Sequence, residues 1–319
     1  MTELRLDGKV AVVTGGAKGI GYGISHKLAQ RGAKVVVNGN YRASGAGEEV
    51  EVVEEIRALG GEATPVNGAV HDPESAKRII AKAIEAYGRV DIVVNNAGTS
   101  AGPSVPKGPD DAFQEQVAVH IYGSMLTVEA AWPHMVAQGG GSILNVGSMA
   151  SVGVSFPEVA GSGWNSAYPT VKAGVFGLTR QMAGAGRQHG IKANLLLPRA
   201  ITPLKLARIS GSKLLEWQAE HLHMEPLAAS VVYMVHPDFP ATGQYFSSAG
   251  GRVARVVIAT ADGYFNPNLT PEDVRDNWAQ VWGGQDPDGH IHGFYELLDQ
   301  DSEHQQLVRL HAALKGHEA

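Results

Sequence analysis

Short runs of valine and isoleucine, each ended by glycine or asparagine and followed by a longer stretch of helical period, recur along much of the chain. A run such as Val90 to Val94 is apolar almost throughout, without alternation, so it suits a strand buried on both faces. Strands of that kind alternating with helices leave one main solution, an α/β doubly wound parallel sheet with helices on both sides. The runs at 9–14, 34–38, 62–66, 90–95, 141–147, 191–197 and 244–247 predict a sheet of seven parallel strands. Helical stretches at 19–31, 48–59, 73–87, 111–137, 167–189 and 226–235 supply the outer layers.

Between the first strand and the first helix stands Thr14-Gly-Gly-Ala-Lys-Gly-Ile-Gly21. Glycines at that junction allow a tight turn and let a pyrophosphate approach the helix N-terminus, where free N–H groups and the helix dipole favour anions. The expected fold is therefore of the Rossmann type, with Gly15, Lys18, Gly19, Ile20 and Gly21 as cofactor-binding residues. Glycine makes up 40 of 319 residues, above the usual share of roughly 7%, and much of it falls where apolar runs end. Backbone is expected to come close to something there.

Composition narrows the partners. With 26 Lys+Arg against 32 Asp+Glu, the formal charge of −6 lacks the basic footprint of a nucleic-acid binder. No apolar run approaches the roughly 20 residues a membrane-spanning helix needs, and Met1 to Asp7 lead directly into the first strand without the pattern of a signal peptide. The absence of cysteine excludes disulfides and thiolate metal sites and suits a reducing, cytoplasmic setting. His221 with His223, and His290 with His292, have no acidic or cysteine partner at ligand spacing, so no metal is expected. A small molecule is the expected partner.

Tyr168 and Lys172 are one helical turn apart, which puts phenol and ammonium on one helix face. A neighbouring cation favours the phenolate, the shift a tyrosine needs if it is to exchange protons near neutrality. Ser148 lies just past the apolar run Ile143 to Val146, at what should be a carboxyl edge of the sheet.

In this combination the chain resembles the short-chain dehydrogenase/reductase family over residues 8 to about 250: Thr14 to Gly21 fits its Thr-Gly-x-x-x-Gly-x-Gly, Asn95-Asn-Ala-Gly98 its Asn-Asn-Ala-Gly, and Tyr168/Lys172 its Tyr-x-x-x-Lys. The resemblance implies NAD(P)-dependent interconversion of a secondary alcohol and a ketone. Ser148 would then bind the substrate oxygen, Tyr168 act as acid/base, Lys172 hold the cofactor ribose, and Asn96, Ala97 and Gly98 lie beside the cofactor. His120 falls where the family usually has a catalytic asparagine. That exchange, together with Thr270 to Trp278, resembles the branch containing the (3R)-hydroxyacyl-CoA dehydrogenase domain of peroxisomal multifunctional enzymes. There His120 is expected to carry a proton relay from Lys172, an imidazole being both donor and acceptor, or else to be a satisfied core histidine. Ile201 and Thr202, after Pro198, would contact the nicotinamide end.

Gly39 stands where the branch has an acidic residue that binds the adenosine 2′-hydroxyl. Without it NADP is favoured over NAD, with Lys18 and Arg42 placed for a 2′-phosphate, whereas Asn38 and Asn40 would suit a plain ribose. The family's adenine-binding Asp is replaced by Ala69, leaving the Val70 backbone for adenine. Phe156 and Trp164, in the long insert between Ser148 and Tyr168, and Trp217, in a plausible lid over 199–224, point to a bulky apolar substrate. A 3-hydroxyacyl or 3-oxoacyl thioester is expected; a steroid-like ketone, a non-catalytic redox sensor on the same fold and a structural subunit are the alternatives. The family also implies a homodimer or homotetramer through the helices at 111–137 and 167–189. Residues 1–250 are expected to form the catalytic domain and 251–319 an extension packed on it or on a neighbouring subunit, with Thr270, Pro271 and Asp273 opening a helix.

Overall fold

The computed structural model describes residues 3–40, 47–99, 104–105, 110–152, 164–165, 167–201, 213–261, 263–285, 291–292 and 294–296. Eight strands form the main sheet: β1 (Val10–Val13), β2 (Lys34–Gly39), β3 (Glu62–Asn67), β4 (Ile92–Asn95), β5 (Gly141–Val146), β6 (Ile191–Arg199), β7 (Tyr245–Ala249) and β8 (Arg252–Val256). Their order is β8-β7-β6-β5-β4-β1-β2-β3, and each pair from β3 across to β7 is parallel. The seven expected strands are all present. The eighth, β8, follows the Gly250-Gly251 turn, and a two-residue connection joins antiparallel neighbours only.

Helices α1 (Gly19–Gln30), α2 (Glu48–Ala58) and α8 (Met224–Val235) cover one face. There Ile24, Leu28, Val53, Ile56 and Val231 pack on Val13, Val35, Val37 and Val94. Helices α3 (Pro73–Tyr87), α5 (Gly123–Ala137) and α6 (Ala167–Gly186) cover the other. Ile79, Ala131, Met135 and Met182 pack there on Val10, Val12, Val36, Val93 and Ile143. Successive residues of one strand thus bury in opposite layers, each side chain the size of valine or larger contributing roughly 1.5–3 kcal/mol.

Two helical expectations need correction. The stretch 111–137 is not continuous: α4 (Asp111–Val117) passes through a π turn, Ala118–Tyr122, before α5. The span 199–224, expected to be loop, contains α7 (Lys213–His221), while 202–212 lies outside the described residues. The helix start expected at Thr270 is formed in α9 (Pro271–Asp276) as a capping box, where the Thr270 hydroxyl accepts from the Asp273 N–H at 3.1 Å and Asp273 accepts from the Thr270 N–H at 2.9 Å. The chain divides into two compact units, 1–255 and 256–319, five residues beyond the expected boundary, because the β7–β8 pair keeps 251–255 with the sheet.

A chain of buried amides and hydroxyls crosses the middle of the sheet. Thr127 donates to Asn95 Oδ1 at 2.7 Å, Asn95 Nδ2 to Asn145 Oδ1 at 2.9 Å, and Asn145 Nδ2 to Thr179 Oγ1 at 2.9 Å. It ties α5 to the ends of β4 and β5 and these to α6. Asn95→Ala leaves the buried Asn145 Oδ1 without its donor, while Thr127 keeps the Gly123 carbonyl, and should lower the urea-unfolding free energy by about 1–3 kcal/mol. The exposed Asn268→Ala should change it by less than about 0.5 kcal/mol.

Candidate active site

The strand order reverses between β1 and β4, the crevice where open α/β sheets bind ligands. The glycine turn lies there and is fastened to both strands. Thr14 Oγ1 donates to the Val94 carbonyl at 3.2 Å and accepts the N–H groups of Asn96 and Ala97, each at 3.0 Å. Asn96 Nδ2 donates to the carbonyls of Thr14 and Gly15 at 2.9 and 3.0 Å. Asn96 and Ala97 therefore shape the turn, whatever else they touch.

The turn suits a pyrophosphate. Gly15 and Gly19 have φ of +58° and +53°, and a Cβ on Gly15 would stand 2.9 Å from Ala97 Cα. A Cβ on Gly21 would run into the Gly15 carbonyl. Helices α3 and α4 are capped by Asp72 and Asp110, whose carboxylates accept from Ser75 and Phe113 N–H groups at 2.9 Å. At α1, by contrast, Lys18 makes no capping bond and the first turn holds no acidic residue, which leaves the N–H groups of Gly19 to Gly21 for an anion. Ile20 packs into the core below. These residues fit a nicotinamide dinucleotide, which when bound supplies the hydride acceptor or donor.

Ser148 follows β5, and Tyr168 and Lys172 stand on consecutive turns of α6, so the expected triad is assembled at the carboxyl edge. The Ser148 hydroxyl lies close enough to the Tyr168 phenol to favour its ionised form. Lys172 is buried and donates to the Val146 carbonyl; its Nζ is 5.8 Å from the Tyr168 ring centre. Burial pulls the Lys172 ammonium down to about 7. Burial also raises the Tyr168 phenol above its usual value, opposed only by Ser148. The expected lowering of Tyr168 by Lys172 is thus not found in the chain alone. Burial is the larger influence on the phenol, and the shift was expected of Lys172 together with an oxidised nicotinamide.

His120 sits at the centre of the π turn, its ring centre 6.0 Å from that of Tyr168. Nε2 lies 2.9 Å from the Thr99 carbonyl, and burial with the nearby Lys172 charge lowers the imidazole to about 3. A neutral ring donating to Thr99 keeps Nδ1 as its acceptor. Gly98 is glycine because a Cβ there would enter this ring. The relay expected through His120 ran from Lys172 to water; the contacts that the structure shows for the ring nitrogen are with the backbone of Thr99.

The other expected residues are placed as follows. Asn38 is buried, accepting from Gly15 N–H at 3.2 Å and donating to the carbonyls of Gly39, Val66 and Gly68 at 3.0–3.3 Å, so it braces the turn instead of facing a ribose. The Ile201 N–H donates to the Leu222 carbonyl at 2.9 Å and is not open to a cofactor. Val70 is buried and fills the space above Gly123. Lys18 forms an ion pair with Glu48. Trp217 is half-exposed on α7 and stacks on His221 with ring centres 4.7 Å apart. The backbone of Trp164–Asn165 pairs antiparallel with Ser104–Val105, while the Trp164 side chain, Arg42, Phe156 and Thr202 lie outside the described residues. What the sequence reading missed is the amide chain through Asn145, whose one signal was an asparagine inside an apolar strand.

The model of the family described as short chain dehydrogenase matches residues 9–209. Peroxisomal multifunctional enzyme A of Dictyostelium discoideum is 32% identical over 289 residues, covering 89% of this chain and 62% of that protein. For peroxisomal multifunctional enzyme type 2 of Mus musculus the identity is also 32%, over 88% of this chain but 37% of the relative. The chain therefore spans less than two thirds of the length of either protein. Among solved structures, the full-length peroxisomal multifunctional enzyme type 2 of Drosophila melanogaster superposes with a TM-score of 0.72 at 28% identity, over 97% of this chain and 50% of that one. A 7α-hydroxysteroid dehydrogenase solved with NADH and 7-oxo glycochenodeoxycholic acid gives 0.68 at 28% identity, over 79% and 98%. With the glycine turn, the Asn-Asn-Ala-Gly segment and the Ser148/Tyr168/Lys172 triad in place on this sheet, the chain belongs to the short-chain dehydrogenase family of NAD(P)-dependent oxidoreductases.

Proposed function

We propose that the protein interconverts a secondary alcohol and its ketone, and that the substrate is a 3-hydroxyacyl or 3-oxoacyl thioester. The observation that carries the chemistry is Ser148 beside Tyr168, one turn from Lys172, at the edge where the glycine turn opens. Two hydroxyls converging on one point can hold a substrate oxygen, Ser148 by donation and Tyr168 by passing a proton to it or taking one from it. Lys172, set to gain or lose a proton near pH 7, can refill Tyr168. His120, neutral at that pH, adds no competing charge. The thioester is supported by similarity to multifunctional enzymes over most of this chain. A steroid-like ketone is the second reading, supported by the hydroxysteroid dehydrogenase structure.

Homodimer or homotetramer formation belongs to the same proposal. On α6, a Cβ at Gly177 or Gly184 would meet nothing within 4 Å, which leaves room for a second helix, although Ala183 is buried within the chain itself. The absence of cysteine supports a reducing compartment, and we assign the cytoplasm.

Purified protein with NAD(P)H should reduce 3-oxoacyl-CoA, followed at 340 nm, and Tyr168→Phe should lower kcat by about 10²- to 10⁴-fold. Full activity in that variant would refute the proton-transfer role. Lys172 makes a separate prediction. A lysine whose folded pKa is depressed from 10.5 to about 7 gives stability that is complete above the unfolded value and lost as pH falls through 7. The unfolding free energy of the wild type relative to Lys172→Met should therefore rise between pH 7 and 10, by up to about 1.4 kcal/mol per pH unit. Urea titrations at pH 6, 8 and 10 test the slope.

A further inference from the structure

We propose that Glu49, on α2, takes over the task of the missing carboxylate at the end of β2, and that the site thereby selects a dinucleotide with a free adenosine 2′-hydroxyl, NAD over NADP. The inference rests on the dinucleotide reading above. It reverses the preference that Gly39 alone suggests.

The end of β2 borders the glycine turn, since the Gly16 N–H donates to the Asn38 carbonyl at 2.8 Å and the Gly15 N–H to Asn38 Oδ1 at 3.2 Å. A ligand on that turn has its adenosine ribose at this strand end, where an acidic side chain ordinarily receives the 2′-hydroxyl. Gly39 has no side chain to offer, yet the space is filled. A Cβ on Gly39 would point into the Glu49 carboxylate, 2.9 Å from its Cδ and 3.2 Å from its Cβ, with Oε2 the nearest atom. An acid has therefore been brought to the same place from the neighbouring helix, and residue 39 must be glycine to admit it.

Glu49 is held there. It is 6% exposed, and its Oε1 accepts from Asn67 Nδ2 at 3.0 Å. Asn67, on β3, is the residue paired with Gly39 in the β2–β3 register, so the carboxylate is anchored to the strand beside the one it serves. Oε2 is the oxygen toward Gly39. Of the two cations expected to attract a 2′-phosphate, Lys18 is paired with Glu48, and Arg42 lies outside the described residues. Among the described residues, Lys18, Glu48 and Glu49 together carry a formal −1, which opposes a phosphate dianion and favours a hydroxyl that can donate.

Direct binding separates the possibilities. NADH and NADPH would be titrated by fluorescence against the wild type, Glu49→Gln, and the double variant Gly39→Asp/Glu49→Ala, which returns the carboxylate to β2; circular dichroism melts would confirm folding. The wild type should bind NADH at least about tenfold more tightly than NADPH. Glu49→Gln should shrink that ratio severalfold, and the double variant should restore it. Equal or tighter NADPH binding by the wild type, or a ratio unmoved in Glu49→Gln, overturns the role of Glu49 and leaves the oxidoreductase reading standing. Binding of neither dinucleotide removes both.

Discussion

The hydroxyl of Thr14 is the contact on which the rest of the site depends. It donates to the carbonyl of Val94 and accepts from the N–H groups of Asn96 and Ala97. One side chain thus joins the end of β1 to the end of β4 across the point where strand order reverses. Neither strand can slide against the other without losing a buried bond. The glycine turn inherits that rigidity, and Asn96 adds to it by bonding two carbonyls of the turn. The anion-binding N–H groups of α1 are therefore aimed before any ligand arrives, which lowers the ordering cost of binding.

The catalytic side of the crevice is fixed by a different device. Asn95 and Asn145 are partners in the β4–β5 register, and their amide contact continues to Thr127 and Thr179 on the flanking helices. Thr179 stands two turns after Lys172 on the same helix, so the amide chain sets the height of α6 against β5. That height places Lys172 Nζ on the carbonyl of Val146 and Tyr168 beside Ser148. Precise placement matters because three ionisable groups share little solvent. Burial works on each toward neutrality: upward on the phenol, downward on the ammonium and the imidazole. The chain alone holds them as a nearly neutral cluster, poised to respond to any charge brought into the crevice.

Much of this was legible in the sequence, and the reasons differ by element. Buried parallel strands announce themselves because both faces must be apolar, so all seven expected strands were found. Tyr168, Lys172 and Ser148 were legible because order along the chain maps onto order along the sheet edge. The π turn was not, since Ala118 to Tyr122 has the same apolar spacing in either helical form; only in space is His120, within that turn, seen against Gly98 and Thr99. The role of Asn38 was misjudged because a strand-end asparagine looks available to ligand until the neighbouring loops bring carbonyls to it. Helix α7 and strand β8 were hidden for a related reason, being set by local turns and pairing that leave a weak periodic signal.

Glu49 shows the limit most sharply. Read along the chain, Gly39 is a carboxylate lost, and nothing ten residues later indicates its replacement. Read in space, the missing side chain and the buried acid are a single arrangement. Removing the Cβ at 39 opens a volume, and the α2 carboxylate enters it under the control of Asn67. An Asp at 39 beside Glu49 would put two like charges and two sets of atoms in one space, so each residue constrains the other. A ligand at the end of β2 meets an acid whichever element supplies it. What recognises the ribose is the position of the charge, and the sequence position of the residue that carries it is free to move wherever the backbone makes room.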